Sequence, residues 1–381
     1  MEIAVVRKEY SLARGGAERY CVNLTRQLLK LGHRVTVVGE SIDDSLTSEV
    51  RFVSVRVNNA TSWTKNRSFA DNAARVINSG RYELVLGLSR TLGTDVFRIT
   101  DRLQAHWLGI RYPNRILRGL QHLNPRHRTL LGLERQILGS SSVRRVITES
   151  KLDARLIEHY YRVPAERIRT VYNGVDIHTF HPGVRLHRAE IREQFNIGLN
   201  DPLLMFASMD FRGKGLHTVL AAMAAVRDIP VRLLVLGKGR QAAFERVIKF
   251  LGLSGRVTFA GWQRGIERFY GTGDLFVLPT AYEPFGLVHL EALACGLPVL
   301  TTATAGGAEV IDHGGNGYVI SHSQAAGELA DCLRNYFGLS EDDREKMRSR
   351  AWQKASGMTL EHHAQQTLAV LEEAWRDKFR V

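Results

Sequence analysis

The chain has 381 residues, 44% of them apolar, which is more than a single hydrophobic core usually holds, so two domains of roughly 150–200 residues are expected. Its 34 glycines and 9 prolines suit many short strand-to-helix turns, and three scattered cysteines (Cys21, Cys295 and Cys332) argue against a disulfide scaffold or a cysteine metal knuckle. A formal charge of +13 points to an anionic partner, whether nucleic acid, an anionic membrane or a phosphorylated substrate, without choosing among them.

Residues 1–7 carry an acid where an export signal wants positive charge, and their apolar run is too short for one. No uninterrupted apolar stretch reaches about 18 residues, so no transmembrane helix is expected and the protein is placed in the cytoplasm, soluble or peripheral. Short β-rich apolar runs then alternate with longer amphipathic stretches, the pattern of parallel sheets covered by helices. In the first half the expected strands are residues 3–6, 34–39, 51–55, 83–88, 96–99 and 144–148, with a helix opening after Gly15-Gly16. In the second half they are residues 203–207, 232–236, 256–259, 274–278 and 298–302, apolar almost throughout as strands buried on both faces are. The polar, basic stretch after Asp176 marks a boundary. The fold class is therefore α/β, with two Rossmann-like domains facing across a cleft, residues 1–176 and 177–359, and a last helix within 360–381 crossing back to the first. Open α/β sheets bind ligands at the carboxyl ends of their strands.

The segment Glu283-Pro-Phe-Gly-Leu-Val-His-Leu-Glu291 follows one such buried strand and opens a helix. Spacing alone says little, because 23 glutamates give about one pair eight apart by chance, and Glu158 and Glu166 repeat the separation. Context says more. A helix beginning near Gly286 aims the unpaired amides of Phe285, Gly286 and Leu287 outward, where they and the helix dipole attract phosphate. Further along, Glu291 can accept hydrogen bonds from sugar hydroxyls. Arg212 and Lys214 flank Gly213 in the loop after the first strand of the second half, two cations for a diphosphate. Gly15-Gly16, after the first strand, is a glycine turn at a helix start but lacks the three-glycine dinucleotide spacing.

In this order the pieces Gly15-Gly16-Ala-Glu-Arg19, Thr148-Glu-Ser-Lys151, Tyr172-Asn-Gly-Val-Asp176, Phe211-Arg-Gly-Lys-Gly215, the glutamate pair and Ala292-Leu-Ala-Cys-Gly-Leu-Pro298 resemble the family-4 retaining glycosyltransferases of the GT-B fold. The resemblance implies that Glu291 binds the nucleotide ribose, Glu283 a hydroxyl of the donor sugar, and the backbone of Phe285 to Leu287 the sugar and diphosphate. It makes Gly16 a diphosphate contact from the first domain and leaves the role of Arg19 open. Where the family usually has adjacent Arg-Lys, a glycine intervenes here, which leaves the contact of Arg212 less defined than that of Lys214. There is no Asp-x-Asp, the metal-holding arrangement of other glycosyltransferase folds. Arg212, Lys214 and helix amides are expected to stabilise the departing phosphate instead, with no metal and no cofactor. The family implies retention by front-face attack, with Asp101 as the preferred group to orient the acceptor hydroxyl and His106 as the other candidate.

From residue 102 to 133 there is no acid, while Arg111, Arg115, Arg118 and other arginines alternate with aromatic and aliphatic residues, and Pro113 and Pro125 limit any helix to short pieces. Such a strip can lie on an anionic leaflet or be an ordinary charged helix face. With the segment from Asp95 to Asp101 it is similar to the lipopolysaccharide core glucosyltransferase branch. The expectation is a peripheral enzyme on the inner face of the cytoplasmic membrane, moving a hexose, glucose first, from UDP-glucose to a lipid-linked phosphorylated glycan acceptor. A mannosyl or other hexosyl transferase for exopolysaccharide is the nearest rival. A nucleic-acid-binding protein on the same kind of fold leaves the glutamates unexplained, so no nucleic acid is expected, and a sugar-nucleotide epimerase would need no acceptor.

Overall fold

The computed structural model describes residues 1–13 and 15–379, and the chain divides into two compact units. One comprises residues 1–173 and 360–381, the other 174–359. The first contains β1 (Glu2–Val6), β2 (Glu9–Tyr10), β3 (Arg34–Gly39), β4 (Ser41–Ile42), β5 (Arg51–Ser54), β6 (Leu84–Gly87), β7 (Val96–Arg98), β8 (Arg145–Thr148) and β9 (Ile168–Thr170). Seven of these form a sheet in the order β5-β3-β1-β6-β7-β8-β9, every pair parallel, and β2 pairs with β4 apart from it.

Successive side chains of a strand point to opposite faces, and β1 shows what that requires of its sequence. Ile3 and Val5 join the core on one face with Leu24 and Leu28 of helix Gly16–Lys30, and with Ala364, Val370, Leu371 and Ala374 of helix Leu360–Phe379. Ala4 and Val6 join the other face, against Phe69, Ala73 and Ile77 of helix Ser62–Ser79. The C-terminal helix is thus part of the first unit's core. Glu373 on that helix accepts from Arg145 at 3.0 Å, and Lys378 donates to Asp95 at 2.9 Å.

The second unit contains β10 (Leu203–Ser208), β11 (Arg232–Gly237), β12 (Val257–Gly261), β13 (Leu275–Leu278), β14 (Val299–Thr302) and β15 (Gly317–Ile320). They form one parallel sheet in the order β12-β11-β10-β13-β14-β15. β13 is wholly buried, which is why its sequence, Leu-Phe-Val-Leu, shows no polar alternation. Besides the two-residue β2 and β4, two strands of the main sheets, β9 and β15, lie outside the runs expected from sequence. β9 has only three residues, two of them polar, and β15 follows directly on Gly314-Gly315-Asn316, a turn-like run that masks its start.

Each sheet reverses its strand order once, between β1 and β6 in the first unit and between β10 and β13 in the second. At such a point the loops leaving two neighbouring strands diverge to opposite sides and open a crevice at the carboxyl edge. No helix among the described residues is long and apolar enough to cross a membrane.

Candidate functional site

In the second unit the residues singled out from sequence fall on the two loops that leave the switch point. The loop after β10 turns tightly: Asp210 accepts from the amide of Gly213 at 2.9 Å, and Phe211 is buried among aromatic rings. This turn sends Lys214 inward to an ion pair with Glu283, and leaves Arg212 exposed. The two cations flanking Gly213 are therefore not equivalent.

The loop after β13 carries Glu283, whose side chain is 21% exposed. Its backbone is stitched to the segment after β14, the carbonyl of Glu283 accepting from Gly306 at 2.9 Å and that of Phe285 from Gly307 at 2.9 Å. Helix Leu287–Ala294 starts at Gly286, which caps it with φ +84°. A side chain there would be strained by that φ and would meet the His289 ring at 2.6 Å, so the position requires glycine. The first amides of this helix have no acceptor within it, which is the condition for holding an anion. Glu291, one turn on, is buried and accepts from the hydroxyl of Tyr270 at 3.0 Å. Lys214, Glu283, the Gly286–Leu287 backbone and Glu291 thus stand along two adjacent loops and one helix.

Tyr270 and His289 were not legible as site residues in the sequence. His289 is fully buried, its Nδ1 lying 3.2 Å from the Phe285 carbonyl and 3.0 Å from that of Gly286, its Nε2 2.9 Å from Thr301 Oγ1. Burial and the nearby Lys214 charge push its pKa down to about 4.

The first unit's switch point gathers charge of both signs. Arg7, at the end of β1, donates to the Leu88 carbonyl at 2.7 Å, to Thr100 at 2.9 Å and to Glu18 at 2.5 Å. Arg90, beyond β6, donates to Glu134 at 2.7 Å and reaches Asp101 at 3.3 Å. Asp101 is about half exposed (47%); partial burial works against its charge, but Arg7, Arg90 and Lys8 outweigh it and hold the carboxyl below its usual range. Burial lowers the Lys8 ammonium to about 8, with Asp101 pulling the other way. A groove beside Asp101 is lined by Ser89, Arg90, Thr100, Leu103 and Glu134. Arg7, Lys8 and Arg90 were also missed from sequence, since only the strand order shows that these loops are neighbours.

Gly15 caps helix Gly16–Lys30 with extended backbone, and its carbonyl accepts from the amide of Arg19, a half-buried residue of the first turn. His106, in helix Gln104–Arg111, lies 3.4 Å from the Tyr160 hydroxyl; burial and His159 lower its pKa. Asp101 and His106 are thus held by different partners. Ser150 and Asn173 have local structural roles. Ser150 caps helix Lys151–Tyr161 by accepting from Asp153, and Asn173 accepts from the wholly buried Arg98 at 2.8 Å.

The basic strip folds as helices Gln104–Arg111, Arg115–Leu120 and Pro125–Leu138, broken at Pro113 and restarted at Pro125 in the first turn. Its apolar residues separate into two sets. Leu108 joins the core at 2% exposure, whereas Ile116, Leu117, Leu120 and Leu123 stand out at 76%, 52%, 53% and 73%. Arg111 and Arg115 are exposed beside them, and Arg118 is half-buried.

Comparison with known proteins gives consistent matches over both halves. Residues 14–179 match the model for Glycosyltransferase Family 4, and residues 187–354 that for Glycosyl transferases group 1. Over 329 residues the chain is 25% identical to the lipopolysaccharide glucosyltransferase WaaG of Escherichia coli (strain K12), covering 84% of this chain and 85% of that protein. Among solved structures it resembles that of WaaG with a TM-score of 0.83 at 22% identity, over 97% of this chain and 99% of the other. It also resembles Anabaena Alr3699/HepE in complex with UDP-glucose, with a TM-score of 0.73 at 20% identity, over 98% and 100%. The two parallel-sheet units are those of the GT-B fold.

Proposed function

Since the chain belongs to the family-4 glycosyltransferases, we propose that it is a retaining hexosyltransferase moving glucose from UDP-glucose to a phosphorylated, lipid-linked lipopolysaccharide inner-core acceptor. The observation that carries this reading is the second unit's switch point, where Lys214 and Glu283 lie on adjacent loops beside the helix Leu287–Ala294 that carries buried Glu291. The UDP-glucose bound by Alr3699/HepE and the glucosyl activity in the name of WaaG support the choice of donor.

In this reading Glu291, fixed by Tyr270, takes the ribose hydroxyls. The amides of Gly286 and Leu287, with Phe285 beside them, take the diphosphate together with Lys214, Arg212 and the Gly15-Gly16 turn. Glu283 holds a sugar hydroxyl. Positive charge and oriented amides stabilise the leaving diphosphate, so the chemistry needs no metal and no cofactor. The bond from the anomeric carbon to the phosphate oxygen breaks as the acceptor oxygen bonds on the same face, and the acceptor proton passes to the departing phosphate. Asp101 orients the acceptor hydroxyl, and His106 and Arg19 are further candidates on the same unit.

For location, the four exposed aliphatic side chains between residues 116 and 123, with Arg111, Arg115 and Arg118, suit an anionic leaflet, where apolar groups enter and guanidinium groups meet phosphate. The enzyme is then peripheral on the inner face of the cytoplasmic membrane. The test is a hydrolysis screen with UDP-, GDP- and ADP-sugars, followed by transfer to truncated lipopolysaccharides. Turnover of UDP-glucose that rises with a phosphorylated inner-core acceptor is the expected result. Absence of binding to every sugar nucleotide would sink the reading, and transfer only to other glycans would move it to exopolysaccharide synthesis.

A further inference from the structure

The structure assigns a role to a residue outside the glutamate pair: we propose that His289 is a positioning residue, whose Nδ1–H turns two peptide groups so that the amides of Gly286 and Leu287 point at the donor's diphosphate. This rests on the reading above, in which those amides meet the phosphates.

His289 lies in the first turn of helix Leu287–Ala294 and is fully buried, between Val288 and Leu290. Its Nδ1 lies within 3.2 Å of two backbone carbonyls, those of Phe285 and Gly286. Carbonyls only accept, so Nδ1 carries the hydrogen and Nε2 of the neutral ring has none; it lies 2.9 Å from Thr301 Oγ1 on β14, whose single hydrogen is shared between Nε2 and the Leu278 carbonyl at 3.0 Å. The Lys214 ammonium nearby and the absence of solvent both favour that neutral ring.

A trans peptide points its N–H opposite to its C=O. Holding the carbonyls of Phe285 and Gly286 toward the ring therefore turns the amides of Gly286 and Leu287 away from it. The Gly286 carbonyl also accepts from the His289 amide at 3.0 Å, and the Phe285 carbonyl from Gly307 at 2.9 Å. At Gly307 any Cβ would lie 2.6 Å from both Nδ1 and the Phe285 oxygen, so the backbone closes on the imidazole from that side. The loop is thus clamped from inside the domain by bonds that do not involve the ligand. An aliphatic side chain of the same volume fills this space but leaves the carbonyls without the ring donor.

The test compares three variants of the full chain by calorimetric titration with whichever of UDP, GDP and ADP the wild type binds, and with the matching nucleoside. In His289→Asn the side-chain amide stands where Nδ1 stood and keeps the donor. In His289→Gln the amide reaches only toward Thr301. His289→Leu has no donor. The diphosphate is expected to bind His289→Asn within about threefold of wild type and the other two about tenfold or more weaker, the scale of one lost hydrogen bond to a charged group, while nucleoside affinity stays unchanged. Thermal melting selects the folded variants, and the contrast of Asn with either Gln or Leu suffices. Equal diphosphate binding by Asn and Gln or Leu, or a parallel loss of nucleoside binding, would overturn the positioning role while leaving the donor site in place. A wild-type chain that binds none of the three diphosphates would instead overturn the donor reading, and this inference with it.

Discussion

His363 offers a measurement in which the size of the effect follows from geometry. It sits on the inner side of helix Leu360–Phe379, 3% exposed, with Nδ1 donating to the Tyr172 carbonyl at 2.6 Å and Nε2 3.0 Å from the Tyr20 hydroxyl. Burial first, and then the charge of Arg98, push its pKa down to about 3. An unfolded histidine takes up a proton near pH 6.5, whereas this one does not until far lower, so below 6.5 the unfolded state binds more protons and stability falls with pH. Each pH unit costs about 1.4 kcal/mol until the folded pKa is reached, which gives about 2 kcal/mol between pH 7 and pH 5. The variant His363→Asn keeps a donor for Tyr172 but cannot titrate. Its stability at pH 7 falls through the lost ring contacts, so each protein is compared with itself. Native-state hydrogen exchange on peptides from residues 360–379, corrected for the intrinsic rate at each pH, reads the opening free energy of the helix. The wild type should lose about 2 kcal/mol more than the variant between pH 7 and 5. Equal losses would refute the claim that this imidazole is held neutral.

Three other outcomes follow from the sites. Tyr270→Phe removes the hydroxyl that donates to buried Glu291. It should weaken sugar-nucleotide binding about tenfold or more, the value of a hydrogen bond to a charged group, and calorimetry showing unchanged affinity would remove Glu291 from the ribose contact. Asp101→Asn should lower transfer to the acceptor about a hundredfold while sparing donor hydrolysis, measured by released nucleotide against glycosylated product, and equal loss of both would place Asp101 with the donor. Replacing Arg111, Arg115 and Arg118 with glutamine should cost about 1 kcal/mol of membrane attraction per charge, roughly a hundredfold in partition to anionic vesicles by sedimentation. Unchanged sedimentation would end the membrane proposal.

What the sequence told, and what it withheld, follows from how local each cause is. Strands such as β1 and β13 were legible because burial on both faces forces a continuous apolar run. β9 and β15 were not, because Ile-Arg-Thr is too short to show a pattern and Gly-Tyr-Val-Ile runs on from a glycine-rich turn. Pro113 and Pro125 announced the breaks in the basic strip, since a proline's effect is confined to its own turn. The division of its apolar residues between core Leu108 and exposed Leu123 depends on what the rest of the fold brings up against them. Likewise the glutamate pair could be found by its context, but Tyr270 lies 21 residues from Glu291 and nothing in its own neighbourhood marks it.

The same distinction bears on the proposed chemistry. Sequence offered Asp101 as a carboxylate after a strand, a description that fits a proton-taking base and an orienting group equally well. The fold places Arg7, Lys8 and Arg90 around it, three cations drawn from two other loops, and they hold its carboxyl below the usual range. A base is effective when its pKa lies near the working pH, and one kept lower is a poor proton acceptor that still accepts a hydrogen bond. On the proposed reaction Asp101 therefore aligns the acceptor hydroxyl without taking its proton. The proton needs another destination, and the departing diphosphate, gaining negative charge as its bond to the sugar breaks, is the group beside the reacting oxygen whose basicity rises at that moment.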